Sequence, residues 1–385
     1  MAHSLSHFVQ PKTGVINHTL SGTNFVIRPH GESIEVVMTR DGTTVTYPIA
    51  YAIGSGSHAF GYLMQVGNHL FQAPISYYAH RKIWDMAPGY ESDPAPDFFR
   101  PVTPGCLECH AGHVHSLVGT LNQYSSIEAS DEAISCDRCH GDPSAHLQRP
   151  GRDTIVNPQK LPVRARDSVC EQCHLKGEVR ILNPGRQFSD FHAGQNLEDV
   201  FSVYVRDNSG EPPNASIKVI SHAEQLALST CARSSGGKLW CGTCHNPHEQ
   251  PADPVKYFRA RCLSCHGDAI LRTHAKPTDN CIACHMPKRP AKDGSHTVFT
   301  DHRIARFPSR GDQRPSDDIG IKLRAWHEPT GVLAIRNLGL ANMAIGERER
   351  STELIDGRYA SRRGASSSFV LLTCCRAFHA SAYES

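Results

Sequence analysis

The sequence predicts a mostly irregular and α-helical chain of short helices. It also predicts a small antiparallel β region at the N-terminal end and a helix near the C-terminal end. Three observations lead there. A five-residue pattern, Cys-x-x-Cys-His, occurs six times between residues 106 and 285, its copies starting 30, 34, 71, 21 and 19 residues apart. Residues 1 to about 90 contain no Cys-x-x-Cys and alternate apolar and polar residues. Beyond residue 316, apolar residues recur at helical spacing.

The first region, residues 1–92, reads as β-hairpins. TNFVI and IEVVM precede an Asp41-Gly42 turn and TTVTY; YLMQV precedes a Gly67-Asn68 turn and HLFQ. Alternation bounded by Asp-Gly and Gly-Asn is the hairpin signal, because these residues accept the positive φ that tight turns need. The proline-rich DPAPDFFRP then leads into a second region, residues 93–307, which holds all six motifs.

The motifs are Cys106–His110 (CLECH), Cys136–His140 (CDRCH), Cys170–His174 (CEQCH), Cys241–His245 (CGTCH), Cys262–His266 (CLSCH) and Cys281–His285 (CIACH). Twelve of the fifteen cysteines are theirs: Cys106, Cys109, Cys136, Cys139, Cys170, Cys173, Cys241, Cys244, Cys262, Cys265, Cys281 and Cys284. Cys231, Cys374 and Cys375 remain. A disulfide has no use for a fixed histidine. Zinc binds Cys and His but does not require a histidine directly after the second cysteine. Attachment of c-type haem does. Cysteines at i and i+3 share one face of a helical turn, from which two sulfurs can reach two vinyl groups. The next residue then offers its imidazole to the iron, so the proximal ligands are His110, His140, His174, His245, His266 and His285. Six covalently attached haems c are expected, and the fold class is that of a multihaem cytochrome c, with short helices and loops wrapped around haems that serve as the core.

Each iron has a second axial position, and eighteen of the 24 histidines lie outside the motifs. Six methionines are too few and badly placed to fill these positions. Bis-histidine ligation, with low potentials, is therefore expected. His248, three residues after His245, lies one turn on and suits a neighbouring haem better than its own. Further distal candidates are His146, closing CHGDPSAH; His222, before the fourth motif; His274, between the last two; His296 and His302, framing HTVFTDH; and His58, in GSGSHAFGY. His69, His80, His192, His327 and His379 lack such a setting and read as ordinary histidines.

The 71-residue interval, with NLEDVFSVYV and the polar DNSGEPPNAS, reads as a loop excursion. The crowding of the last three motifs predicts a tight cluster of haems. Residues 308–385 form a proline-containing linker, a helix and an irregular tail. Val332, Ile335, Leu338, Met343 and Ile345 predict the helix's apolar face, and NLGLANMAIGE looks like the first helix of a tetratricopeptide repeat.

A formal net charge of +2 provides no basic field for nucleic acid. No apolar run approaches the eighteen residues of a membrane span, and MAHSLSHFVQ has neither the basic nor the apolar part of a signal peptide.

Over roughly residues 1–306 the chain resembles the multihaem cytochromes c with doubled CxxCH motifs, related to the nitrifier tetrahaem cytochrome family. Besides the six motifs, the resemblance is carried by GSGSHAFGY, SYYAHRKIWDMAPGY, SHAEQLALSTCARSSGGKLWCGTCHNPH and CIACHMPKR followed by HTVFTDHRI. It implies several c-type haems, a periplasmic or other extracytoplasmic location and following tetratricopeptide repeats. It also gives weight to His58, His222, His248, His296 and His302 as axial ligands. Similar proteins begin with a signal sequence and another CxxCH upstream of a segment like MAHSLS. The natural protein is therefore expected to start earlier, with a seventh haem whose distal ligand is a histidine such as His3 or His18. The tail after Tyr359 is read as a lost frame into further repeats.

The expected function is electron carriage through closely spaced haems, exchanged with redox partner proteins that the sequence does not identify, with any membrane association made through such a partner. Six haems, with their propionates and ferric cores counted, would take the formal charge to about −4. Two alternatives are a multihaem reductase of small nitrogen or sulfur oxyanions, which needs an iron with an open distal position, and a scaffold binding partners through its repeat. All six motifs end in histidine, which argues against a catalytic haem with a replaced proximal ligand.

Overall fold

The structure is a computed structural model of the chain. It describes residues 5–6, 9–54, 56–112, 114–125, 133–151, 153–206, 217–274, 279–305 and 322–361, with backbone only for 5–6 and 347–361. His3, the DNSGEPPNAS segment, the 308–316 linker, Cys374, Cys375 and His379 lie outside the described residues.

Ten strands precede the first motif: β1 (Leu5–Ser6), β2 (Gly14–His18), β3 (Thr23–His30), β4 (Ser33–Arg40), β5 (Thr43–Pro48), β6 (Tyr51–Ile53), β7 (Phe60–Val66), β8 (His69–Tyr78), β9 (Ile83–Met86) and β10 (Arg100–Pro101), the last just beyond residue 92. Strands β2–β5 make one antiparallel meander. Strands β1, β6, β7, β8 and β10 make a second sheet, with β9 also paired to β8. The Asp41-Gly42 turn joins β4 to β5 with both φ values positive, 49° and 76°. Gly67-Asn68 joins β7 to β8, with Val66 opposite His69.

Alternate residues of the two sheets meet in one core. Ile16, Phe25, Ile27, Ile34 and Val36 come from the meander, and Tyr62, Met64, Ala73, Ile75 and Met86 from the second sheet. Phe98, within the proline-rich stretch, is buried in the same core. The other face of the second sheet, with Tyr51, Leu63 and Leu70, packs against Leu107 and Ala111. Leu107 lies inside the first motif, so the sandwich holds that motif directly. The Tyr124 hydroxyl fastens this contact by donating to the Val102 carbonyl at 2.6 Å.

Short helices follow: α1 (Pro104–His110), α2 (Asp137–His140), α3 (Ser144–Gln148), α4 (Val163–His174), α5 (His222–Leu228), α6 (Thr230–Ser234), α7 (Cys241–Cys244), α8 (Pro254–His266), α9 (Ala269–Thr273) and α10 (Cys281–His285). Their ends follow local chemistry. Asp253 caps α8 by accepting from the Lys256 amide at 3.0 Å, with Pro254 in the first turn. Glycines at positive φ stop two of them, Gly141 after α2 (70°) and Gly267 after α8 (64°).

The expectation of a mostly irregular and helical chain is corrected by four antiparallel sheets. Two of them lie beyond the N-terminal region. The first is built from β11 (Val179–Leu182), β12 (Phe201–Arg206) and, after the hairpin of β13 (Lys288–Ala291) and β14 (Gly294–Thr300), β15 (Leu323–Ala325). The hairpin is the second. The VFSVYV part of the supposed loop excursion is thus the central strand β12, buried on both faces. Phe201, Val203 and Val205 pack with Leu175, Phe191, Leu197 and Val200. Tyr204 packs on the other side with Leu323, Ala325, Ala341 and Ile345. This part of the chain has an aliphatic core of its own, contrary to the expectation that haems alone would serve.

The last helix, α11 (Val332–Ser361), exists as expected but presents a different face. Val332 and Ile335 are 81% and 80% exposed, while Asn337, Ala341 and Ile345 are buried. Asn337 decides the rotation. Its amide donates to Asn183 Oδ1 at 2.9 Å and to Ser202 Oγ at 3.0 Å. Among the described residues, no helix is long and apolar enough to cross a membrane.

Candidate functional site

Each motif forms one helical turn, at or near the end of α1, α2, α4, α7, α8 or α10. Its two cysteines therefore share a face. Cysteines of different motifs also meet. Cys109 lies beside Cys173, Cys170 beside Cys241, and Cys262 beside Cys281, each close enough to perturb its neighbour's ionisation. The first motif therefore adjoins the third, the third the fourth, and the fifth the sixth. The second is tied to the first by the Arg138–Glu108 ion pair (2.8 Å) and to the third by Gln172, whose side chain donates to the Arg138 carbonyl at 2.9 Å.

Four motif histidines face another histidine. His140 faces His248 with ring centroids 5.9 Å apart, His245 faces His302 at 6.1 Å, His285 faces His274 at 5.9 Å, and His174 faces His222 at 5.2 Å. His222 and His302 themselves stand 4.9 Å apart, so His174, His222, His302 and His245 form a row. The elements that bring them together are far apart in sequence: α4, the first turn of α5, the residues after β14 and the end of α7.

Three of these distances, 5.9, 5.9 and 6.1 Å, fit an iron between two imidazoles, while His174 and His222 stand closer, at 5.2 Å. A metal–nitrogen bond is about 2 Å, and a ring centre lies about 1 Å behind its nitrogen, so two rings on one iron stand about 6 Å apart. The ring orientation is prepared as well. Nδ1 of His140 donates to the Val156 carbonyl and Nδ1 of His285 to the Ala305 carbonyl, both at 2.7 Å. Nδ1 of His302 donates to the Thr300 carbonyl at 2.9 Å. These bonds fix the tautomer and leave Nε2 free to ligate. His222 Nδ1 is buried and has no hydrogen-bond partner among the described residues.

Electrostatics favour the neutral ligand form. Burial first, then the charges of His302, His174, His245 and His58, push His222 down to about 3. Desolvation lowers His174 and His302 as well, and His245 likewise, each against neighbouring imidazoles. The Nε atoms of Arg138 and Arg180 are buried without a partner among the described residues, beside the first and third motifs. Among the described residues, no three of His, Cys, Asp and Glu converge as ligands for a bare metal ion. The paired cysteines and the oriented, facing imidazoles are a donor set that fits haem.

No family model matches the chain, and no curated protein matches it. A similar solved structure is that of the outer cell wall cytochrome OcwA, at 13% identity over 66% of this chain and 68% of that one, with a TM-score of 0.41. The functional reading rests on the chain's own residues.

Other expected ligands lie elsewhere. His296 is committed to the sandwich: its Nε2 donates to Asp85 at 2.7 Å, and its Nδ1 accepts from Arg81 at 3.2 Å. His146 turns to its own loop, with Nδ1 bonded to Gly151 and Thr154 at 3.2 and 3.1 Å. His58 packs on Phe299 at 4.5 Å, near His222 but facing no motif histidine among the ring contacts of the described residues. His18 is a buried strand residue whose Nε2 donates to the Glu91 carbonyl at 3.0 Å. Sequence reasoning missed Arg138, Arg180 and the carbonyls of Val156 and Ala305. The spacing of cysteines carries no signal for them.

Proposed function

We propose that the chain is a multihaem c-type cytochrome that carries electrons through closely spaced, mostly bis-histidine haems. The observation that carries the reading is the His174–His222–His302–His245 row, in which two motif histidines are each faced by a histidine from another segment. Bound haem supplies an iron that alternates between ferric and ferrous states. The chain does the rest. The cysteine pairs would fix positions, and the facing histidines would hold the iron. The carbonyls on Nδ1 set orientation, and burial keeps the imidazoles neutral. The pairs that would hold a haem are His140 with His248, His174 with His222, His245 with His302, and His285 with His274.

The contacts between motifs give an order that differs from sequence order: first beside third, third beside fourth, fifth beside sixth, and the second branching from the first and third. Cys244 lies within electrostatic range of Cys265, which joins the fourth to the fifth. Such a path needs protein donors and acceptors, not a substrate pocket, and an extracytoplasmic location, where c-type haem is attached. The test is the intact mass of the chain after export with haem-maturation machinery and denaturation. An excess of six haems supports the reading; a haem-free chain holding zinc defeats it.

A further inference from the structure

The junction between the first and third motifs contains a buried cation that the electron-carrier reading does not use. Arg180, on β11, reaches past the end of α4. Its Nη1 donates to the Gln172 carbonyl at 3.0 Å and its Nη2 to the Leu175 carbonyl. The guanidinium carbon stands 5.3 Å from the centre of the Phe201 ring. Nη1 is also 4.0 Å from Cys109 Sγ, the sulfur that lies beside Cys173. One guanidinium thus sits where two haem-attaching sulfurs meet.

Its charge is not cancelled locally. Among the described residues, its hydrogen bonds run to carbonyls and the Cys109 sulfur, with none to a carboxylate. The carboxylate at this junction, Glu108, is held by Arg138 at 2.8 Å. Two guanidiniums against one carboxylate leave one positive charge, and guanidinium does not deprotonate in proteins. At the neighbouring junction, where Cys170 meets Cys241, Asp167 and Glu171 both act on Cys241, and the cation there, Arg166, is paired with Asp167 at 2.8 Å.

Adding an electron lowers the local charge by one, and a buried cation favours that change more than an exposed one does. We propose that Arg180 raises the reduction potentials of the first- and third-motif haems, so that electrons arriving through the later motifs are drawn towards the first. The proposal rests on the haem-attachment reading above.

The test uses the full-length, haem-loaded protein. Intact mass establishes the haem count, and a potentiometric titration followed by optical and EPR spectra gives the couples. Arg180→Gln should retain six haems and shift two of the six one-electron couples negative by at least tenfold in equilibrium constant, about 59 mV each. Arg180→Lys should keep those couples near their original positions. Glu108→Gln, which removes a negative charge from the same junction, should shift the same two couples positive. Unchanged couples in Arg180→Gln at full haem content would overturn the proposal. So would an equal negative shift in Arg180→Lys. If Arg180→Gln does not mature, Glu108→Gln decides: a positive shift in two couples supports the proposal, and no shift overturns it. A wild-type chain without haem defeats the underlying reading instead, and the mass shows this before any titration.

Discussion

His248 faces His140 across 5.9 Å, although it follows the fourth motif and His140 ends the second. Its Nδ1 donates to Asn246 Oδ1 at 3.3 Å, which turns the rest of the ring towards its neighbour. One short segment, Cys241–His248, thus sets His245 against His302 and His248 against His140.

Replacing His248 with alanine should therefore convert one low-spin haem to high-spin, while the mass still shows six haems. An EPR spectrum identical to the wild type would assign His248 a purely structural role.

Removing one member of the four-histidine row should be felt by its neighbour. His302→Ala takes the facing ligand from His245 and also the ring that stands 4.9 Å from His222. EPR should show a new high-spin signal and a shifted g-anisotropy in a second, still low-spin, haem. A single altered haem with every other signal unmoved would contradict the shared packing of the row.

Asp301 holds the base of this arrangement. It is buried and accepts from Arg289 Nε at 2.8 Å and Arg303 Nη2 at 2.6 Å, next to His302. Burial works to raise its pKa, but the hydrogen bonds and charge of Arg303, with Arg289, overcome this and leave it below the ordinary value of 3.8. A depressed folded pKa contributes stability above the unfolded value, and that stability is lost as pH falls below 3.8 through the folded value. Asp301→Asn should cost about 3 kcal/mol at neutral pH, because two guanidiniums lose their buried partner. The variant's stability should also fall less steeply than the wild type's in acid. Denaturant melts at pH 7 and in the acid range check both.

Leu107 tests the seat of the first motif. It packs with Tyr51, Leu63 and Leu70 of the sandwich, and Leu107→Ala should destabilise the chain by roughly 2–5 kcal/mol. A melt unchanged from the wild type would mean that the sandwich does not support that helix.

Asn337→Ala should free α11 from the three-stranded sheet, since Asn183 and Ser202 would lose a donor in a buried place, at about 1–3 kcal/mol. Limited proteolysis should then cut within α11 earlier than in the wild type.

What could be read in advance followed from local rules. Asp41-Gly42 and Gly67-Asn68 announce their turns because few other residues accept positive φ. The motif cysteines specify a helical turn through their own spacing. Strand β12 was hidden because a continuous apolar run has no alternation, and buried strands look like this. The face of α11 was misread because its rotation is set by a buried asparagine with two polar partners, which an apolar count ignores. Facing histidines depend on which segments meet. His222, His248 and His302 could be named as candidates, but their partners could not, and His296 could not be told from them until Asp85 and Arg81 were seen beside it.

The sandwich under α1 has a consequence in time. Its core of Phe25, Ile27, Ile34, Tyr62 and Ile75 is complete without any prosthetic group, and through Leu107 it presents the Cys106–Cys109 pair on finished ground. The helices α7, α8 and α10 bury no residue of their own. On the proposed haem reading, maturation would have a direction: the first attachment would be made to a chain already shaped to receive it, and the last ones would have to shape the chain they join.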